Sequence, residues 1–183
     1  EIMVVTGVQT CALRSIKNKR EVVLDGQRKM NKEAIYKQYG STLLGVMITP
    51  TYLFAFQLGD GDIMYVDDEG VKQVIEGDKI LGTETHSLSK KNAWKCAITV
   101  VSKRDVEKKL PYLYMLSSDG MANSFTSQDE FYKTCQDYYD LIKEHGCKTI
   151  AINMKEWLNE TSTMGCGDDI TVMFGYYAES LYS

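Results

Sequence analysis

The sequence predicts an α+β layer fold, and three observations carry that expectation. Short apolar, β-rich runs follow one another from residue 42 to residue 117, with turn residues between them. From residue 127 the hydrophobic period lengthens to that of a helix and stays so over two consecutive segments. A last β-rich run follows at 170–177. Strands grouped together, with helices inserted late, do not fit alternating βαβ units. No linker or internal repeat divides the chain.

Taken in order, residues 16–38 are mixed and charged, and EAIYKQY reads as the end of a helix before Gly40. Thr42 to Thr49 (TLLGVMIT) and Tyr52 to Leu58 (YLFAFQL) are apolar runs joined by a Pro50-Thr51 turn, which predicts a hairpin buried in a sheet. Ile63 to Val66 continues as a strand. The turn Asp67-Asp68-Glu69-Gly70 leads to another at Val71 to Ile75. A polar loop over 82–92 precedes a long strand predicted from Ala93 to Ser102, and Tyr112 to Ser117 is a further strand after Pro111. Ser127 and Glu130 have capping-box spacing, and Phe131, Cys135, Tyr138 and Ile142 repeat at helical intervals. With Gly146 as the terminating residue, one helix covers Ser127 to His145. A second is predicted from Lys148 to Leu158, and the final strand from Ile170 to Tyr177.

The 183 residues, 44% hydrophobic and 25% charged, suit one domain with a substantial core. A net charge of −4 argues against a nucleic-acid partner, which calls for a basic face. No apolar run is long enough to predict a membrane span. Five cysteines, an odd number with no close pair, suggest reduced thiols and a cytoplasmic location. Residues 1–15 stand apart from the rest. Val5 to Leu13 (VTGVQTCAL) resembles the translation of a sequencing-library adapter, whereas an ordinary strand over Ile2 to Val8 is the alternative. The adapter reading divides the chain into a non-native 1–15 and a native 16–183, incomplete at its N-terminus. It also removes Cys11 and with it the odd count.

Several chemistries are excluded by inspection. No cysteine has an arginine six positions on, so there is no thiolate phosphatase loop. Neither a G-x-S-x-G elbow nor a G-x4-G-K-[ST] phosphate loop occurs. His86 and His145 lack partners at metal-ligand spacing, and His145 reads as a cation at a helix C-terminus. Cys166, between two glycines, reads as a small loop residue. What remains is a set of aspartates at strand ends: Asp60 and Asp62, Asp119, and Asp168 and Asp169. Each group adjoins a glycine, which lets backbone approach an ion closely. Carboxylates without nitrogen or sulfur ligands suit Mg²⁺ or Mn²⁺. Judged singly, each aspartate is a turn residue; their pattern along the chain favours ligands.

Three segments resemble motifs of the metal-dependent (type 2C, or PPM) serine/threonine protein phosphatases, in that family's order. YGSTLLGVMI followed by FAFQLGDGDIMYV is similar to its G-[ST]-T hairpin and V-G-D-S-R strand end. LSSDGMANSF is similar to its S-D-G segment, and GCGDDITVMF to its closing D-N strand. The resemblance covers about residues 36 to 177 and is nearest to bacterial members. It implies a β-sandwich flanked by helices (αββα) with two Mn²⁺ or Mg²⁺ ions at one end. It also implies Asp119 and Asp168 as metal ligands, Asp60 beside the metals, and Gly120 and Asp169 adjacent. The resemblance implies hydrolysis of phosphoserine and phosphothreonine in proteins, such as the products of a Ser/Thr kinase, by a metal-activated water.

Departures from the family pattern temper the expectation. The N-terminal D-G aspartate and the phosphate-gripping arginine have no secure counterpart. Asp25-Gly26 imitates the motif but stands too near Gly40 for the two helices that the family places between. Gly61 stands where serine is usual, and Asp169 where asparagine is. These gaps predict an active parent, an impaired fragment and, as the alternative, an inactive pseudophosphatase serving as an interaction module. A third reading makes the aspartates mere strand ends, and then Asp60, Asp119 and Asp168 should lie far apart.

Overall fold

The computed structural model describes residues 2–5, 40–49, 51–76, 86–103 and 110–178. The helix expected before Gly40, Asp25 and Pro50 lie outside the described residues. The described residues include eight strands: β1 (Ile2–Val5), β2 (Leu43–Ile48), β3 (Tyr52–Leu58), β4 (Gly61–Asp67), β5 (Gly70–Gln73), β6 (Ile98–Lys103), β7 (Tyr112–Ser118) and β8 (Val172–Tyr177). Among the described residues three helices accompany them: α1 (Asp119–Asn123), α2 (Gln128–His145) and α3 (Cys147–Met164).

The strands form two antiparallel sheets, one ordered β1-β8-β7-β4-β5 and the other β2-β3-β6. Alternation along the strands sorts the side chains into two cores. One face of the larger sheet offers Met64, Val66, Leu113, Met115, Val172 and Phe174 to Phe131, Tyr138, Tyr139 and Ile142 of α2 and to Ile150, Met154 and Leu158 of α3. The opposite face sends Ile63, Tyr65, Tyr112, Tyr114 and Leu116 against Leu53 and Ala55 of β3. The result is the expected α+β architecture, a β-sandwich flanked by helices.

Most elements fall where the periodicity puts them, and the departures have local causes. The strand expected from Ala93 to Ser102 is a 3₁₀ turn over Ala93–Cys96 followed by β6. Asn92, a residue tolerant of the left-handed region, sits at φ 62° and starts the turn. Helix α3 runs six residues beyond Leu158. Thr161 and Thr163 hydroxyls donate to the carbonyls of Trp157 and Asn159, so these residues sit on the helix without competing with its backbone ladder. The capping box is half formed. Ser127 Oγ accepts from Glu130 N at 3.2 Å, but the Glu130 carboxylate turns to Thr126 N and Thr126 Oγ1, at 3.1 and 2.6 Å.

The predicted hairpin forms between β2 and β3, with Leu43 opposite Leu58. It is less buried than expected, since Met47 stays 56% exposed. A continuous apolar run does not specify which of its two faces is covered. Strand β1 lies in the segment read as adapter-derived, and it pairs antiparallel with β8 from Ile2↔Gly175 to Val5↔Val172.

Candidate metal centre

Strands β4, β7 and β8 are neighbours in the larger sheet, and Asp60, Asp119 and Asp168 lie on segments adjoining their ends. Asp60 occupies the turn where the chain leaves β3 in one sheet and enters β4 in the other. Gly59 at φ +90° and Gly61 at φ +148° flank it, both in the region that a side chain disfavours. Each is also crowded. A Cβ on Gly59 would stand 2.7 Å from the His86 carbonyl oxygen, and one on Gly61 would stand 2.7 Å from that of Ser117. Beneath the turn, the buried Gln57 side chain donates from Nε2 to the carbonyls of Gly59 and Gly61, at 3.1 and 2.9 Å.

Asp119 follows the last residue of β7 and opens α1, and its Oδ1 accepts from Gly120 N at 3.0 Å. The loop between α3 and β8 carries Asp168 and Asp169. Ser162 Oγ donates to the Asp168 carbonyl at 2.6 Å, and Asp169 N donates to Asp168 Oδ1 at 2.8 Å. Ser118 ties this loop to β7, donating from Oγ to the Asp169 carbonyl at 3.3 Å and accepting from Thr171 N at 2.9 Å. Gly120 allows the approach, because a Cβ there would stand 2.6 Å from the Asp169 carbonyl oxygen.

Electrostatics link the three segments. The Asp119 carboxyl is raised above its ordinary value, first by burial, then by the charge of Asp60 and then by that of Asp168. The bond from Gly120 N offsets part of this. The charges of Asp60 and Asp168 thus both act on the Asp119 carboxyl. Among the described residues, however, no three His, Cys, Asp or Glu side chains stand ready to hold an ion as they are. Repulsion between charges extends further than the contact distances of ligation. Carboxylates are the donor type that a hard divalent cation takes, and its charge would relieve the repulsion at Asp119.

Other aspartate and cysteine positions separate from this group. Asp62 is buried on the helix-facing side of β4 and accepts from Gln73 Nε2 at 3.1 Å, so it is not part of the exposed end. Cys166 is an exposed loop residue whose Sγ lies 3.3 Å from Ser124 Oγ. Gln57, Ser118 and Ser162 were not singled out from sequence. Only Gln57 left a signal: a polar residue at an inward position of YLFAFQL, in register with Leu53 and Ala55.

This architecture is that of a protein phosphatase. Residues 7–161 match the model of the protein phosphatase 2C family, and the chain belongs to that family. Among solved structures, the chain resembles the catalytic domain of the serine/threonine protein phosphatase PstP in complex with two manganese ions. The identity is 12%, over 91% of this chain and 79% of that one, with a TM-score of 0.52. The Mycobacterium tuberculosis phosphatase PstP/Ppp is 13% identical over 93% of this chain and 80% of that one, with a TM-score of 0.53. A bacterial serine phosphatase is 14% identical over 92% and 75%, at 0.50. At such identities the likeness is one of fold. No curated protein matches the chain in sequence. Among the described residues no helix is long and apolar enough to cross a membrane.

Proposed function

We propose that this chain is built for metal-dependent removal of phosphate from phosphoserine and phosphothreonine in proteins, the products of a Ser/Thr kinase. The observation that carries the reading is the match of residues 7–161 to the protein phosphatase 2C family, and the action of the Asp60 and Asp168 charges on Asp119 supports it. Asp119 and Asp168 would hold Mn²⁺ or Mg²⁺, with Asp60 beside them and Gly120 and Asp169 adjacent. When bound, such ions supply an activated water and charge stabilisation for in-line displacement at phosphorus. The chain's own residues do the arranging. Ser118 and Ser162 hold the Asp168-Asp169 backbone, and Gly120 lets it lie against the start of α1. Asp169 adds a further negative charge to the field that attracts the cation. The free cysteines among the described residues agree with a reducing cytoplasm as the site of action.

The test is hydrolysis of p-nitrophenyl phosphate and of a phosphothreonine peptide, with and without Mn²⁺ or Mg²⁺. Turnover should require the metal and fall about 10²-fold or more in Asp119→Ala, at least the loss seen when a metal ligand's own support is removed. Turnover that survives Asp119→Ala would overturn the reading. No metal-dependent turnover at all would return the chain to the interaction-module alternative.

A further inference from the structure

We infer that Gln57 is the positioning residue for Asp60. The inference rests on the reading of Asp60 as a metal-centre residue and extends it to the device that holds the turn. Gln57 ends the inward row of β3 and is only 6% exposed. Its Nε2 donates to Gly59 O and Gly61 O, the carbonyls on either side of Asp60. Two acceptors on one amide group define its orientation, because the reversed amide would set oxygen against oxygen. The other end of the side chain gains nothing comparable. Gln57 Oε1 is buried and accepts no hydrogen bond from the described residues.

A buried amide with one end unsatisfied is a poor choice for packing, where an apolar side chain of equal size avoids the desolvation cost. The favourable contacts of Gln57's polar group all go to the turn. That turn needs them. Both of its glycines have wide conformational freedom, and no regular ladder spans the crossing between the two sheets. By clamping the carbonyls before and after Asp60, Gln57 selects one backbone conformation. The placement of Asp60, whose charge acts on Asp119, follows from it.

The test compares the full chain with Gln57→Met, which keeps length and loses the donors, and Gln57→Leu, which keeps an apolar bulk and loses them. Ala55→Gly, on the same inward row but away from the turn, controls for general destabilisation. In metal-free protein, amide ¹⁵N relaxation at Gly59, Asp60 and Gly61 should show loosening in both Gln57 variants and none in Ala55→Gly. Calorimetric titration should then show Mn²⁺ binding weakened about tenfold or more in the Gln57 variants alone. Unchanged relaxation at the three amides overturns the positioning role, and so does a loosened turn with unaltered Mn²⁺ affinity. A wild-type chain that binds no Mn²⁺, while relaxation still separates the variants, refutes the metal-centre reading and supports the clamp. Gln57→Leu decides the matter if Gln57→Met does not fold.

Discussion

At Asp119, burial and two neighbouring carboxylates act in the same direction, and this sets a trade between stability and function. A carboxyl raised in the folded state holds its proton more tightly there than in the unfolded chain. The metal-free fold therefore loses stability as pH rises from the ordinary carboxylate value through the raised one. Asp119→Asn removes the repulsion, so the metal-free variant should melt higher than wild type at neutral pH while metal-dependent turnover is lost. Thermal unfolding in chelator, followed at acidic and neutral pH, checks both the sign and its pH dependence. Gly120→Ala acts on geometry instead of charge. The new methyl would meet the Asp169 carbonyl oxygen at 2.6 Å, so the loop must retreat. Mn²⁺ activation should weaken about tenfold to a hundredfold, read as a shift in the half-activating concentration. The aspartates were legible in the sequence because a carboxylate beside a glycine at a strand end is a local pattern. Ser118 and Ser162 were not, because each acts on the backbone of a residue brought near only by the fold.

Among the elements, α2 shows how a helix is attached to a sheet. Its apolar stripe was legible as Phe131, Cys135, Tyr138 and Ile142, and all four are buried. Tyr139, next to that stripe, adds a polar tie. Its phenol oxygen lies 2.9 Å from Asp68 Oδ1 and 3.1 Å from the Pro111 carbonyl oxygen, linking the helix to the β4–β5 turn and the start of β7. Burial and the bond to Asp68 push its ionisation upward. Tyr139→Phe should cost about 1–2 kcal/mol. A chain of this size should then melt roughly 2–4 °C lower per kcal/mol, measurable by calorimetry. The neighbouring Lys143–Asp68 pair is half exposed and contributes little beside it. The extent of α3 was harder to read, because hydroxyl residues that usually end helices can also bond back along one.

For the whole molecule, the change of period from strand to helix made the layer class legible. The division of the strands into two sheets was not, since β3 and β4 are consecutive yet belong to different sheets. Register and partner choice depend on which faces are covered, and a run of apolar residues leaves that open. The strand order β8-β7-β4 carries a further consequence, for the time course of folding. Asp60 and Asp168 are more than a hundred residues apart along the chain. The loop that carries Asp168 is placed beside Asp119 only once β8 has paired with β7, a non-local contact that forms late compared with the helices and the hairpin. A folding intermediate that has its helices and its β2–β3 hairpin but lacks β8 has little means of capturing a cation. The ability to bind a divalent ion then reports completion of the sheet, and a chelator should leave the early folding steps untouched while lowering the final gain in stability.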